Sequence, residues 1–231
     1  MRSVTPVLEL ETTRVERDSE LGVNAPMSLR LLPGECALIE AAAYQQLPAF
    51  ADLCSGLAEL RSGQVRFLGR DWSRLPRSYA AALRSRIGRY FAGGGWLPFL
   101  NLETNILLPA LHHTRRNRDE LRREALALAE EFGLPGVPLG HPGELGATDL
   151  SRAALVRAFL GEPLLMLLEE PTEGPLEPLL PAVLNRAAMA RDRGSAIVWL
   201  TRSRSPGDDP SFPRSQRLRL GDQGLTPRLA A

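Results

Sequence analysis

Short apolar runs of strand length alternate along this chain with longer stretches in which apolar and charged positions recur at helical spacing. The most uniform apolar run, 164–168, closes on two glutamates and a proline, LLMLLEEP. An unbroken apolar segment of that length behind a helix-like stretch predicts a strand buried on both faces of a parallel sheet. Acidic residues at its end then lie at the carboxyl edge of the sheet, where α/β proteins place their chemistry.

The rest of the pattern fits that centre. Strands are predicted at 7–15, 25–30 and 36–39, and a helix starts near residue 47, because Pro48 suits the first turn of a helix and not its interior. Ser62-Gly63 reads as a turn before a strand reaching residue 70. A helix from 76 leads into a strand over 87–91, and the glycines of 92–98 form a loop. Helices follow over 102–111 and 117–132, then a Gly/Pro connector over 133–144 and a helix over 149–160 with Asp149 as its cap. Beyond the central strand come a helix over 179–193, a strand over 195–201, a polar loop over 202–213 and a hairpin turning at 221–224. Strands alternating with helices predict a mostly parallel sheet, with 97–148 as a helical insert.

Composition narrows the function. The chain has 231 residues and a formal net charge of +1, so no global field favours nucleic acid, and no basic–aromatic stripe does either. Cys36 and Cys54 share no metal-ligand spacing with His112, His113 or His141 and read as small buried side chains. No run reaches the ~18–20 apolar residues of a membrane span, and the first residues lack the apolar core of a signal peptide. A cytoplasmic protein is expected.

From residue 8 to residue 228 the chain resembles the ATP-binding subunits of ABC transporters. The resemblance is carried by Pro33-Gly34-Glu35, Gly56, Ile87-Gly88, Leu97-Pro98, Asn105-Ile106, Arg157-Ala158, Glu162-Pro163 and the run from 164 to Thr172. It implies a P-loop NTPase-like α/β fold with a mostly parallel core sheet, an N-terminal antiparallel β portion and a helical insert. Residues 1–96 and 149–231 would form the core and 97–148 the inserted helical subdomain.

Matched residue by residue, the resemblance places the phosphate loop on 41–49, with Ala41 and Tyr44 among its former glycine and small positions. Leu47 stands at the lysine, and Pro48 and Ala49 at the two hydroxyl residues. A phosphate loop works through glycine-permitted N–H groups, a lysine on the phosphates and a hydroxyl on magnesium. Ala92 stands at the glutamine of the next loop, Leu145-Gly146-Ala147-Thr148-Asp149 at the signature, and Arg202 at the switch histidine. Glu169 takes the metal-binding aspartate position and Glu170 that of the catalytic glutamate. Both read chiefly as strand-end acids paired with arginines, Arg157 and Arg202 being the candidates.

These replacements lead to the expectation of an inactive, ATPase-like subunit that is not an enzyme and takes neither ATP nor magnesium. Its role would be structural or regulatory in a membrane transport complex, peripheral on the inner face of the membrane. The implied partners are a membrane-spanning permease subunit and an active ATP-binding subunit, with no nucleic acid. Docking would use Gly93, Gly94 and Gly95 beside Trp96, Leu97, Phe99 and Leu100; the competing reading is that Trp96 and Phe99 close the insert's own core. Two other functions stay open: a soluble adaptor without a membrane partner, and a weak enzyme using Glu169 and Glu170 as paired acids on another phosphate compound.

Overall fold

The computed structural model describes residues 4–16, 18–91, 94–112, 116–203, 212 and 214–228. Ala92, Gly93 and most of the polar loop 202–213 therefore lie outside the described residues.

In chain order the elements are β1 (Leu8–Val15), β2 (Met27–Leu31), β3 (Cys36–Ala41), α1 (Gln46–Cys54), β4 (Leu60–Phe67), β5 (Arg70–Asp71), α2 (Arg77–Arg84) and β6 (Ile87–Tyr90). There follow α3 (Leu102–His112), α4 (Arg118–Glu131), α5 (Ala147–Phe159), β7 (Leu165–Glu169), α6 (Leu180–Asp192), β8 (Ala196–Thr201), β9 (Gln216–Gly221) and β10 (Gly224–Pro227). The strands form two sheets. A four-stranded antiparallel sheet has the order β2-β1-β4-β5, and a six-stranded sheet the order β10-β9-β3-β8-β7-β6. The larger sheet is parallel throughout except for the terminal β9–β10 hairpin.

Strand β7 is buried at all five positions because it separates two cores. Leu165 and Leu167 join the core under α1 and the antiparallel sheet, whereas Met166 and Leu168 join the core formed with α3 to α6. Strand β8 divides in the same way, Val198 and Leu200 to one side and Ile197 and Trp199 to the other. Two-sided burial explains why these strands read as continuous apolar runs without alternation. Helices α3 and α4 meet α5 in the second core, packing Leu107, Leu121 and Leu128 with Ala153 and Val156.

Two local expectations are corrected. Ser62-Gly63 is no turn: both residues lie inside β4, where the pairing with β1 shifts register between Glu11 and Arg14. Gly63 has φ +84° there, and a Cβ on it would stand 2.5 Å from the Thr12 carbonyl oxygen. The Ser-Gly signal thus marks a bulge that bends the strand. Asp149 is no cap either. Helix α5 is capped by Gly146, and Asp149 lies in its first turn, where a negative charge still suits the helix dipole. Gly88 on β6 explains one landmark of the sequence, since a Cβ there would meet the Ala158 carbonyl oxygen of α5.

Candidate functional site

The turn between β3 and α1 is held by its own side chains. Oε1 of Gln46 accepts hydrogen bonds from the backbone N–H groups of Ala42 (2.9 Å) and Ala43 (3.0 Å). Its Nε2 donates to the carbonyl of Leu21 at 2.8 Å. The N–H groups of Gln46 and Leu47 donate to the carbonyls of Ala43 and Tyr44. Leu47, at the lysine position, is 0% exposed and points into the core beneath α1 with Phe50 and Ala51. Pro48 and Ala49 are half-buried. Positions 47–49 therefore offer no cationic or hydroxyl side chain to a phosphate or a metal. The residues present do not fit a magnesium–polyphosphate group in the manner of a phosphate loop.

At the end of β7 the two carboxylates are buried, Glu169 at 3% and Glu170 at 6% exposure. Each has its own arginine. Arg89 on β6 donates from Nε to Glu169 at 2.6 Å, from Nη1 to Asp52 on α1 at 2.5 Å and from Nη2 to the Pro48 carbonyl at 3.1 Å, while its guanidinium stacks on Phe91. Burial pushes the Glu169 carboxyl above its usual range and the Arg89 charge pulls it back. Glu170 follows the strand with φ +50°, a left-handed conformation that is strained for a non-glycine residue. It receives Arg202 Nε at 2.7 Å and the Arg202 backbone N–H at 3.2 Å. Arg202 also lies over the ring of Tyr44, so turn, strand end and the residue after β8 form one connected group. Beside it, Glu170, Glu173, Glu177, Trp199 and Thr201 line an open cavity of about 230 Å³.

Tyr44, Glu170 and Arg202 are thus brought together as a candidate site, and Pro48 joins Glu169 through Arg89. Residues 145–149 lie elsewhere: Leu145 and Asp149 line a cavity with Leu134 to Gly140, and Asp149 pairs with Arg152. Arg157 does not reach either carboxylate, which corrects that candidate pairing. It donates instead to the carbonyls of Gly94 and Gly95 and lies over the Trp96 ring. Burial lowers its pKa to about 10.

Arg157 and Asn105 shape the segment that follows. The Asn105 side chain accepts from the Leu97 N–H and donates to the carbonyls of Leu97, Leu100 and Asn101. Trp96 packs half-buried on the second core, whereas Phe99 is 72% exposed. The reading that both aromatics close the insert's core holds for Trp96 and fails for Phe99.

Three participants were missed by sequence reasoning: Gln46, Arg89 and Asp52. Arg89 faces Leu167 in the register of β6 and β7, two residues from Glu169 on the same face. Only strand order makes them neighbours. Gln46 carried a weak signal, a polar residue beside the apolar start of a helix. Among the described residues there is no group of three or more His, Cys, Asp or Glu able to hold a metal ion, and no helix long and apolar enough to cross a membrane.

No family model matches the chain. It is 28% identical over 225 residues to the lipoprotein-releasing system ATP-binding protein LolD 1 of Rhodopirellula baltica, covering 96% of each. It is 29% identical over 172 residues to the uncharacterized ABC transporter ATP-binding protein YbbA of Escherichia coli, covering 74% of this chain and 75% of that one. It also matches the macrolide export ATP-binding/permease protein MacB of Sodalis glossinidius, 29% identical over 172 residues, but spans only 26% of that protein's length. The fold superposes on the dimeric ABC transporter cassette MJ0796 with a TM-score of 0.79 at 18% identity, covering 94% and 96% of the two chains. The post-hydrolysis form of that cassette, bound to ADP and Pi, gives 0.77.

These similarities bear out the α/β fold with its antiparallel N-terminal portion and parallel core sheet. They also correct two expectations. A chain that is no enzyme and takes neither ATP nor magnesium was inferred from the replaced loop residues, yet the relatives that match it are ATP-binding proteins and the structural neighbour carries the products of hydrolysis. In sequence the chain is similar to ATP-binding proteins of ABC transporters, and in fold to their cassettes.

Proposed function

We propose that this ABC-transporter ATPase-type subunit is the regulatory cassette of a membrane transport complex. It pairs with a second ATP-binding subunit and docks on a permease at the inner face of the membrane, and the assembled complex is the unit that consumes ATP.

One observation carries the regulatory role. Both carboxylates at the end of β7 are neutralised within the chain, Glu169 by Arg89 and Glu170 by Arg202. A carboxylate held by an arginine at 2.6–2.7 Å is oriented and charge-compensated, and it changes partner only when the arginine moves. Arg202 is partly exposed and also covers Tyr44, so a partner subunit approaching this edge meets a movable cation before it meets Glu170. The pairing is suggested by a fold shared with a cassette solved as a dimer. Docking is supported by the exposed Phe99, presented on a segment fixed by Asn105 and Arg157. An exposed aromatic on a rigid turn is the usual form of an interface anchor.

Purification from membranes through a tag on this chain tests the proposal. A permease and a second ATP-binding subunit should be recovered in fixed proportion, with ATP hydrolysis by the complex. Arg202→Ala should change the turnover rate and leave the composition unchanged. Recovery of the chain without a membrane protein, or a turnover indifferent to Arg202, overturns it.

A further inference from the structure

We infer that Phe91 joins the docking segment 94–100 to the carboxylate end of β7: the arginines of the two regions stack on its one ring, so that a partner moving Trp96 is felt at Glu169. The inference rests on the proposed docking for the meaning of that segment and adds how docking regulates the site.

Arg89 and Arg157 come from different elements, the edge strand β6 and the helix α5. The Arg89 guanidinium lies 4.2 Å from the centre of the Phe91 ring, and that of Arg157 lies 5.6 Å from the same centre. Arg157 continues to the Trp96 ring at 4.3 Å. A guanidinium is planar and weakly hydrated, and it is attracted to an aromatic face within about 6 Å of the ring centre. Cation, ring, cation and ring thus alternate from Arg89 to Trp96. Each end is tied by hydrogen bonds, Arg89 to Glu169 and Asp52, and Arg157 to the carbonyls of Gly94 and Gly95. Phe91 also closes the turn through its backbone, its carbonyl accepting from the Gly94 N–H at 2.9 Å.

The two ends differ in what holds their cation. Arg89 has two carboxylates, those of Asp52 and Glu169. Arg157 is drawn out of water, and among the described residues no carboxylate pairs with it. Its charge is met by two carbonyls and two ring faces, all on or beside the segment that it holds. A desolvated cation of this kind stays in place only while those groups stay with it. Displacement of Trp96 therefore displaces Arg157, and Arg157 uncovers the ring on which Arg89 rests beside Glu169.

Amide exchange of the full chain, followed by NMR, tests the link. The reporting amide is that of Leu97, which donates to Asn105 on the Trp96 side of the column. Arg89 makes its hydrogen bonds to Glu169, Asp52 and Pro48, away from this segment. Arg89→Met should nevertheless speed exchange at Leu97 by about two- to fivefold, the equivalent of one lost cation–π contact. In a Phe91→Leu background the same substitution should change nothing further. Where Arg89→Met does not fold, Arg89→Met with Glu169→Gln removes the same guanidinium without leaving a buried carboxylate unpaired. Exchange at Leu97 unchanged by the loss of Arg89, or quickened as much without Phe91 as with it, overturns the inference.

A second measurement needs no change at Arg89. Protons held over an aromatic face are shifted by its ring current, so the side-chain methylene resonances of both Arg89 and Arg157 should move in Phe91→Leu. Movement of only one, or of neither, overturns the inference. Both measurements are made on the chain alone, whereas docking is read from recovery of a permease, so the two readings fail separately.

Discussion

Arg89 and Glu169 lie on neighbouring parallel strands, and their side chains meet at 2.6 Å on the face covered by α1. The register of β6 and β7 pairs Arg89 with Leu167, and Glu169 is the diagonal neighbour two residues on, within reach of a long side chain. Through Asp52 and the Pro48 carbonyl the same guanidinium also fixes the first helix against the sheet. One side chain therefore couples the strand end to the helix that leads from the turn.

Removing Arg89 leaves Glu169 buried without compensation. Arg89→Met should cost about 3–5 kcal/mol of stability, the usual penalty for breaking one side of a buried ion pair. Arg89→Met combined with Glu169→Gln should recover much of that loss. Urea denaturation of the two variants checks both; a single variant as stable as the double excludes the pairing as a stabilising link.

Glu169 also predicts a pH dependence. Burial raises its carboxyl above the ordinary 4.5 in the folded chain, with Arg89 opposing the shift. The native state then holds this proton to higher pH than the unfolded chain does. Its contribution to stability is fully present below 4.5 and is lost as pH rises through the folded value. Unfolding free energies of the unaltered chain relative to Glu169→Gln should therefore fall as pH rises from 4.5 and then level off. A difference that increases with pH contradicts the assignment.

The segment around Trp96 gives a test of positioning. Arg157→Met removes the donor to the Gly94 and Gly95 carbonyls and the cation over the Trp96 ring. Trp72 and Trp199 are buried, so a red shift in tryptophan emission should come from Trp96. Recovery of the permease should fall for Arg157→Met and for Phe99→Ala, while the exposed Phe99 costs less than about 0.5 kcal/mol in stability. Full recovery of the permease with folded Phe99→Ala removes this surface from consideration.

Both cysteines should be inert. Cys36 and Cys54 are free and buried; burial pushes the Cys36 thiol up to about 12 and the Cys54 thiol higher still. Since the thiolate is the reactive form, neither should react with a thiol reagent at pH 8 until the chain unfolds. Rapid labelling of the native protein contradicts that burial.

Gly63 tests the bulge. With φ +84° and the Thr12 carbonyl 2.5 Å from where a Cβ would stand, Gly63→Ala should destabilise by about 1–3 kcal/mol. A neutral substitution means that β1 and β4 pair without the shift in register.

By itself the sequence determined the layered plan of this protein, because that plan is written in local periodicity. The apolar run of β7, the helix begun around Pro48 and the leucine–alanine spacing of α4 each state how a segment is buried, and the landmarks from Pro33 to Thr172 order those segments. It also determined which side chains are missing from 47–49. Sequence could not decide what took their place, since that depends on residues far apart in the chain. Arg89 reaches Glu169 only because β6 lies beside β7, and Gln46 reaches Leu21 only because the antiparallel sheet packs over the turn. Ser62-Gly63 has the composition of a turn, and its partner strand made it a bulge. The folded chain shows a turn and two carboxylates held by partners of their own, which local sequence cannot specify because charge pairing and hydrogen bonding are settled by distance in space.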